Sequence, residues 1–174
     1  MSYNSKIAAV IGNGPSRILY DESKEYLYRI GCNIPWTRVD ATVLLDVDLL
    51  TLMQKDKSLL KYPAYFSAKA WMFADSCHLR AHFYSNNLFL GLIGYDNNDS
   101  SGNVACKKLI EEGYTEIDLY GCDSYFTETH GYNTESYTRN FVPAGSVNNS
   151  YRWKLSWDAM IKKHPDIKFN FIGK

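Results

Sequence analysis

The sequence predicts an α/β domain built on a doubly wound, mostly parallel sheet. Short apolar runs alternate with helix-like segments, and the runs end in small or polar residues. The first of them, within Lys6–Ser16 (KIAAVIGNGPS), leads into a loop with very little side chain. In an open parallel sheet such strand ends face ligands.

The elements follow in order. Lys6–Gly12 is the first strand, and Asp21–Tyr28 is charged enough for a short helix or a turn. Arg29–Asn33 and Ala41–Asp46 are two more strands, with Pro35 between them excluding a continuous one. Val47–Leu60 has helical propensity. The stretch from Lys61 to Asn87 mixes aromatic runs with WMFADSCHLRAH and fits strand or helix equally. Leu88–Tyr95 (LFLGLIGY) has the pattern of a buried strand. Ser101–Gly113 is an amphipathic helix, with Ala105, Cys106 and Leu109 on one face and Gly113 as its C-cap. Glu116–Gly121 is the next strand. The polar, Tyr-rich stretch from Asp123 to Ser150 is long enough to be a lid or active-site loop. Tyr151–Lys163 forms the last helix, carrying Trp153, Trp157, Met160 and Ile161, and Lys168–Ile172 the last strand.

Composition narrows the function. The 174 residues suit one domain, residues 1–174, and 19 basic residues balance 19 acidic ones. No polybasic surface therefore points to nucleic acid or anionic membrane. No apolar run reaches the roughly 20 residues of a membrane span. The polar start MSYNSK is unlike a signal peptide, and four scattered cysteines without a CxxC pair fit a reducing compartment, so a cytoplasmic location is expected.

The strand ends form a set of candidate ligand positions: Gly12–Ser16, Cys32–Asn33, Asp46–Asp48, Ser100–Gly102 and Asp123–Tyr125. In the first, the backbone N–H groups from Gly12 to Ser16 suit a phosphate, although the same residues also make an ordinary tight turn. The loop has neither Walker A nor G-x-G-x-x-G spacing. Asp46-Val47-Asp48 resembles the D-x-D pair with which many glycosyltransferases hold Mg²⁺ or Mn²⁺; alternatively Asp48 caps a helix beginning near Leu49. Ser100 and Ser101 are good N-cap residues and equally good donors to a phosphate or ribose. Among the histidines, His130 is the best general-base candidate, because it lies in the polar loop beyond Asp123.

Taken in order, Val10-Ile11-Gly12-Asn13-Gly14-Pro15-Ser16, Cys32-Asn33, Ser101-Gly102 and Gly121-Cys122-Asp123-Ser124-Tyr125 resemble the small bacterial lipo-oligosaccharide sialyltransferases, glycosyltransferase family 42. The resemblance implies a single Rossmann-like domain that binds a CMP-sugar, needs no cofactor and transfers the sugar to a glycan acceptor. By position it implies Asn13 and Ser16 near the phosphate and sugar, Asn33 on the donor, and Ser100, Ser101 and Gly102 around the ribose and phosphate, with Asp123 beside them. Tyr125 and Tyr132 match the tyrosines that stabilise the leaving phosphate. The chain departs from the family where its catalytic histidine should stand, since residues 145–150 (GSVNNS) contain none and an Asn cannot take a proton. His130 or Asp46 would then serve as base.

Leu44-Leu45-Asp46 is also similar to the 6-hydroxymethylpterin diphosphokinase-like proteins, which implies ATP and Mg²⁺ with Asp46 as its ligand. A third expectation is a nucleotide-binding protein without catalysis.

Overall fold

The computed structural model describes residues 7–45, 47–59, 61–76, 78–96, 99–126 and 146–174, with backbone alone at 48, 49, 124 and 146–151. Its strands are β1 (Ile7–Ile11), β2 (Tyr28–Cys32), β3 (Ala41–Leu44), β4 (Ala64–Phe66), β5 (Phe89–Leu92), β6 (Glu116–Tyr120) and β7 (Lys168–Phe171). They form one sheet in the order β5-β4-β3-β2-β1-β6-β7, with every adjacent pair parallel. The helices are α1 (Val47–Lys55), α2 (Ala68–Ser76), α3 (Arg80–Ser85), α4 (Ser101–Glu111) and α5 (Ser146–Lys163).

The chain winds outward from β1 to β5, then returns through α4 to place β6 on the other side of β1. That reversal is the topological switch point of a doubly wound sheet. Each strand feeds its two faces separately because side chains alternate. Ala8, Val10, Ile117 and Leu119 face α4 and α5, where they pack with Val104, Leu109, Trp157 and Met160. Leu44, Ala64 and Phe66 face the other way, against Leu50, Met53, Trp71 and Phe83. Phe66 lies at the centre of an aromatic group, with ring centroids 4.7 Å from Phe83 and 4.9 Å from Trp71. Over β1 and β6 this second face has no α-helix among the described residues; Tyr20, Tyr26, Trp36 and Val39 cover Ala9, Ile11 and Tyr120.

Several sequence expectations shift. The ambiguous stretch 61–87 resolves into β4, α2 and α3, with Phe66, Trp71 and Phe83 buried in the core on one face of β4. Of the two alternatives for Asp21–Tyr28 the structure takes the turn, running into β2. The helix expected to Leu60 stops at Lys55 and gives way to a 3-10 turn over Lys57–Leu59. Leu88–Tyr95 is not a buried strand. β5 is the sheet's edge, and Leu90 and Leu92 are 42% and 57% exposed. Apolar content cannot separate an edge from a centre, because neighbours decide which faces are covered. The last helix begins at Ser146, so the end of the polar segment 123–150 is helical. Cys32, Cys106 and Cys122 are free and buried, and desolvation pushes the Cys32 thiol up to about 12.

One charged group lies in this apolar setting. Asp118, on β6, is buried and accepts from Lys24 Nζ at 2.5 Å, Tyr26 Oη at 2.7 Å and Asn170 Nδ2 at 2.7 Å. Burial by itself would raise its carboxyl, but those three donors outweigh it and hold the group below the ordinary carboxylate range. A depressed folded-state pKa contributes stability above the unfolded value, about 3.9 for an aspartate, which is lost as pH falls through the folded value. We therefore expect urea midpoints to fall as the pH drops below about 4, and Asp118→Asn to flatten that acid limb. An unchanged limb in Asp118→Asn would place the titrating group elsewhere. In the same assay Phe66→Ala is expected to cost about 3–5 kcal/mol and Leu92→Ala under about 1.

Candidate functional site

The C-terminal ends of β1, β2 and β6 and the start of α4 meet at one edge of the sheet. There the first loop packs backbone to backbone on the end of β6. Gly12 N–H donates to the Tyr120 carbonyl at 2.7 Å and Gly14 N–H to that of Gly121 at 2.9 Å. A Cβ on Gly12 or Gly14 would stand 2.6 Å from the Gly121 oxygen, so neither position has room for a side chain. Gly121 itself has φ +67, and a Cβ there would overlap the Gly12 carbonyl. Glycine is thus required on both sides of the contact.

Asp123 closes the contact. Its buried carboxylate accepts the Ser16 N–H at 2.7 Å and the Ser16 hydroxyl, while Ser16 Oγ accepts the Gly121 N–H at 2.8 Å. Trp36 Nε1 donates to the Gly12 carbonyl at 3.0 Å. The loop therefore differs from an open row of N–H groups: those of Gly12, Gly14 and Ser16 are spent on β6 and Asp123. Asp123 and Ser16 hold one another, and the loop is a clasp between two strands.

The second strand end is similarly tied. Asn33 sits at φ +53, a conformation that Asn tolerates better than most residues. Its Oδ1 accepts Leu45 N–H at 3.1 Å and its Nδ2 donates to Ser101 Oγ at 3.1 Å. Asn13 Nδ2 donates to the Cys32 carbonyl at 3.0 Å. Asn13 and Asn33 thus link β1, β2, β3 and α4.

α4 begins here because Ser100 is its N-cap. Ser100 Oγ accepts the Asn103 N–H at 3.3 Å, and Asn103 Oδ1 accepts the Ser100 N–H at 2.9 Å, completing a capping box. The N–H groups of Ser101 and Gly102 are left without an intrahelical acceptor, at the positive end of the helix dipole. Gly102 lets Cys122 and Trp157 approach, since a Cβ would lie 3.0 Å from Cys122 Sγ and 3.3 Å from Trp157 Cζ2. Asn103 Nδ2 and Trp157 Nε1 are buried with no acceptor among the described residues. Just before the cap, Asp99 is held by Lys107 Nζ at 2.8 Å and by the Ser156 hydroxyl, joining α4 to α5. Burial would raise its carboxyl, but these donors keep it below the ordinary range.

The remaining sequence candidates divide. Tyr125 lies in a 3-10 turn after β6, its ring stacked on Phe171 at 4.2 Å with Lys174 Nζ 4.8 Å from the ring centroid. Its hydroxyl is raised by burial and by the Asp158 carboxylate, to which it is hydrogen-bonded. Tyr132, His130 and Asp46 lie outside the described residues. Asp48 falls within the first turn of α1, which starts at Val47, so it is not the cap of a helix beginning at Leu49. Among the described residues no three His, Cys, Asp or Glu side chains gather as a metal set. No helix of the described residues is long and apolar enough to cross a membrane. Sequence reasoning missed Trp36, the capping partner Asn103 and the indole of Trp157. The spacing Ser-x-x-Asn is a legible capping signal; the two tryptophans carry none.

The fold is that of solved sialyltransferases. The chain is similar to the sialyltransferase CstII from Campylobacter jejuni in complex with the substrate analogue CMP-3FNeuAc, at 16% identity over 96% of this chain and 80% of that one, with a TM-score of 0.52. It is also similar to a variant of the sialyltransferase CST-II in complex with CMP, at 17% identity over 95% and 80%, with a TM-score of 0.56. At these identities the likeness is one of fold, and the parallel seven-stranded sheet with flanking helices matches it. No family model matches the chain, and no curated protein does. The diphosphokinase resemblance draws no support from these neighbours.

The clasp gives a direct test. Gly121→Ala is expected to lower stability by about 2–3 kcal/mol, because it strains φ and overlaps the Gly12 carbonyl. Gly94→Ala, where a Cβ meets nothing within 4 Å, is expected to change it by under about 0.5 kcal/mol. Equal effects in a denaturant titration would show that the two strand ends are not pressed together.

Proposed function

We propose that this edge binds the phosphate and ribose of a nucleotide sugar and that the protein is a glycosyltransferase of the sialyltransferase type. The observation that carries the reading is the start of α4. The open N–H groups of Ser101 and Gly102, the Ser101 hydroxyl and Asn33 Nδ2 lie together at the positive end of a helix, beside the switch point of the sheet. The fold neighbours hold CMP or a CMP-sugar analogue, which supports cytidine monophosphate as the nucleotide part.

In this reading Asn33, Ser101 and Gly102 bind the donor directly, and Ser100, whose N–H and hydroxyl are held by Asn103, sets the turn that presents them. Gly12, Asn13, Gly14, Ser16 and Asp123 act one layer behind them, by holding the strand ends in place. An acceptor hydroxyl attacks the anomeric carbon, the bond from that carbon to the phosphate oxygen breaks, and the nucleotide leaves with the electron pair. His130 takes the acceptor proton, and the hydroxyls of Tyr125 and Tyr132 donate to the leaving phosphate. For Tyr125 this requires exchanging its hydrogen bond to Asp158 for one to the phosphate.

Calorimetric titration tests the reading. CMP is expected to bind whether or not EDTA is present, and Ser101→Ala to weaken it by up to about tenfold, the worth of one hydrogen bond of about 1.4 kcal/mol. ATP is expected to bind more weakly than CMP. Preference for ATP, or no CMP binding at millimolar concentration, would sink the proposal.

A further inference from the structure

A second concave site lies at the opposite, N-terminal edge of the sheet. It is a cleft of about 420 Å³ between the start of β2, β4 and the last turns of α4. Three tyrosines line it, Tyr28, Tyr65 and Tyr114, together with Leu27, Lys108 and Glu112. Tyr28 and Tyr114 lie with centroids 6.2 Å apart and planes inclined by 31°. Their rings give the cleft an apolar wall. None of the three hydroxyls has a hydrogen-bond partner among the described residues. Burial raises the Tyr28 hydroxyl to about 12 and also raises that of Tyr114, with Asp40 and Glu112 adding to both, so both remain neutral donors at physiological pH.

The charges at the cleft disfavour an anion. Lys108 Nζ stands 4.8 Å from the centroid of Tyr65, so that ring face is already taken by a cation. The same ammonium is 3.2 Å from Glu112 and 3.9 Å from Glu111, so it is neutralised and offers little to an anion. What remains is a set of ring faces and neutral hydroxyls, flanked by one ammonium and two carboxylates. That combination suits a ligand with an apolar face and a rim of hydroxyl groups.

We propose that this cleft binds a neutral pyranose, as one sugar unit of a glycan, separately from the nucleotide edge. The inference goes beyond the proposed glycosyl transfer and does not depend on it. Amide chemical shifts of the full chain provide the test, with lactose as the neutral probe at up to about 50 mM, the range of a millimolar dissociation constant. Lactose is expected to move the signals of Leu27, Tyr28, Lys108 and Tyr114. Glucuronate and choline, the anionic and cationic probes, are expected to leave them unmoved. Tyr114→Ala should raise the lactose dissociation constant by about tenfold or more. Leu27→Trp, at a position 67% exposed and so tolerant of substitution, should block the mouth to the same effect. CMP-induced shifts at Ser101 and Gly102, where present, should persist in both variants. The proposal fails if lactose moves none of these signals, if glucuronate or choline moves them as strongly, or if the lactose shifts survive both substitutions.

Discussion

Everything at the candidate site depends on the contact between the ends of β1 and β6. Two parallel strands that are remote in sequence finish side by side, and their next residues touch through backbone alone. Gly12, Gly14 and Gly121 permit the approach, and Asp123 fixes it by taking both the N–H and the hydroxyl of Ser16. A carboxylate buried against a loop needs donors from that loop, and Ser16 supplies them. With β1 and β6 fixed in this way, Asn13 reaches the end of β2. Asn33 in turn reaches α4 and the backbone beyond β3. Each of these links is a side-chain amide bonding to a neighbouring strand end or to the first turn of α4, so the edge is a continuous network rather than a row of independent loops.

The two faces of the sheet divide the labour. The face toward α4 and α5 is aliphatic near the strand centres, and the indole of Trp157 lies against the first turn of α4. Positioning of that turn therefore rests on packing as much as on hydrogen bonds. Across β1 and β6 the opposite face is closed by aromatic side chains from connections without an α-helix, and it buries Asp118 among Lys24, Tyr26 and Asn170. Here the polar network stands where a helix would otherwise supply an apolar cover. Three of the chain's tyrosines are explained by such packing: Tyr20, Tyr26 and Tyr120 meet edge to face over β1 and β6.

The alternation of strands and helices was legible because period and punctuation agree along most of the chain. KIAAVIG, EIDLYG and the Ser101–Gly113 helix each have an apolar core bounded by Gly or Ser, and the structure departs from their expected limits by only a residue or two. The stretch 61–87 was not legible, since a three-residue strand inside an aromatic run has no period of its own. The strand ends were recognisable as a set, from small and polar residues in recurring positions. Their division into clasp and cradle was not. Whether a loop N–H points to a ligand or to a neighbouring carbonyl depends on which strand lies alongside. Nothing local to GNGPS specifies that its neighbour is Gly121, more than a hundred residues later.

The sheet also has to end somewhere. At β5 the pairing passes from Ala64 opposite Phe89 to Tyr65 opposite Gly91, leaving Leu90 as an additional residue in a strand that contains no charge. An uncharged, apolar terminal strand is normally a template on which another chain can grow, and lysine or proline is a common guard against it. Here the guard is geometric. The extra residue and the adjoining glycine at φ +149 break the regular spacing of donors and acceptors along the outer side. A straight incoming strand can match that row on one side of Leu90 or the other, but not across it, and the protein keeps its leucines exposed without offering a continuous ladder for aggregation.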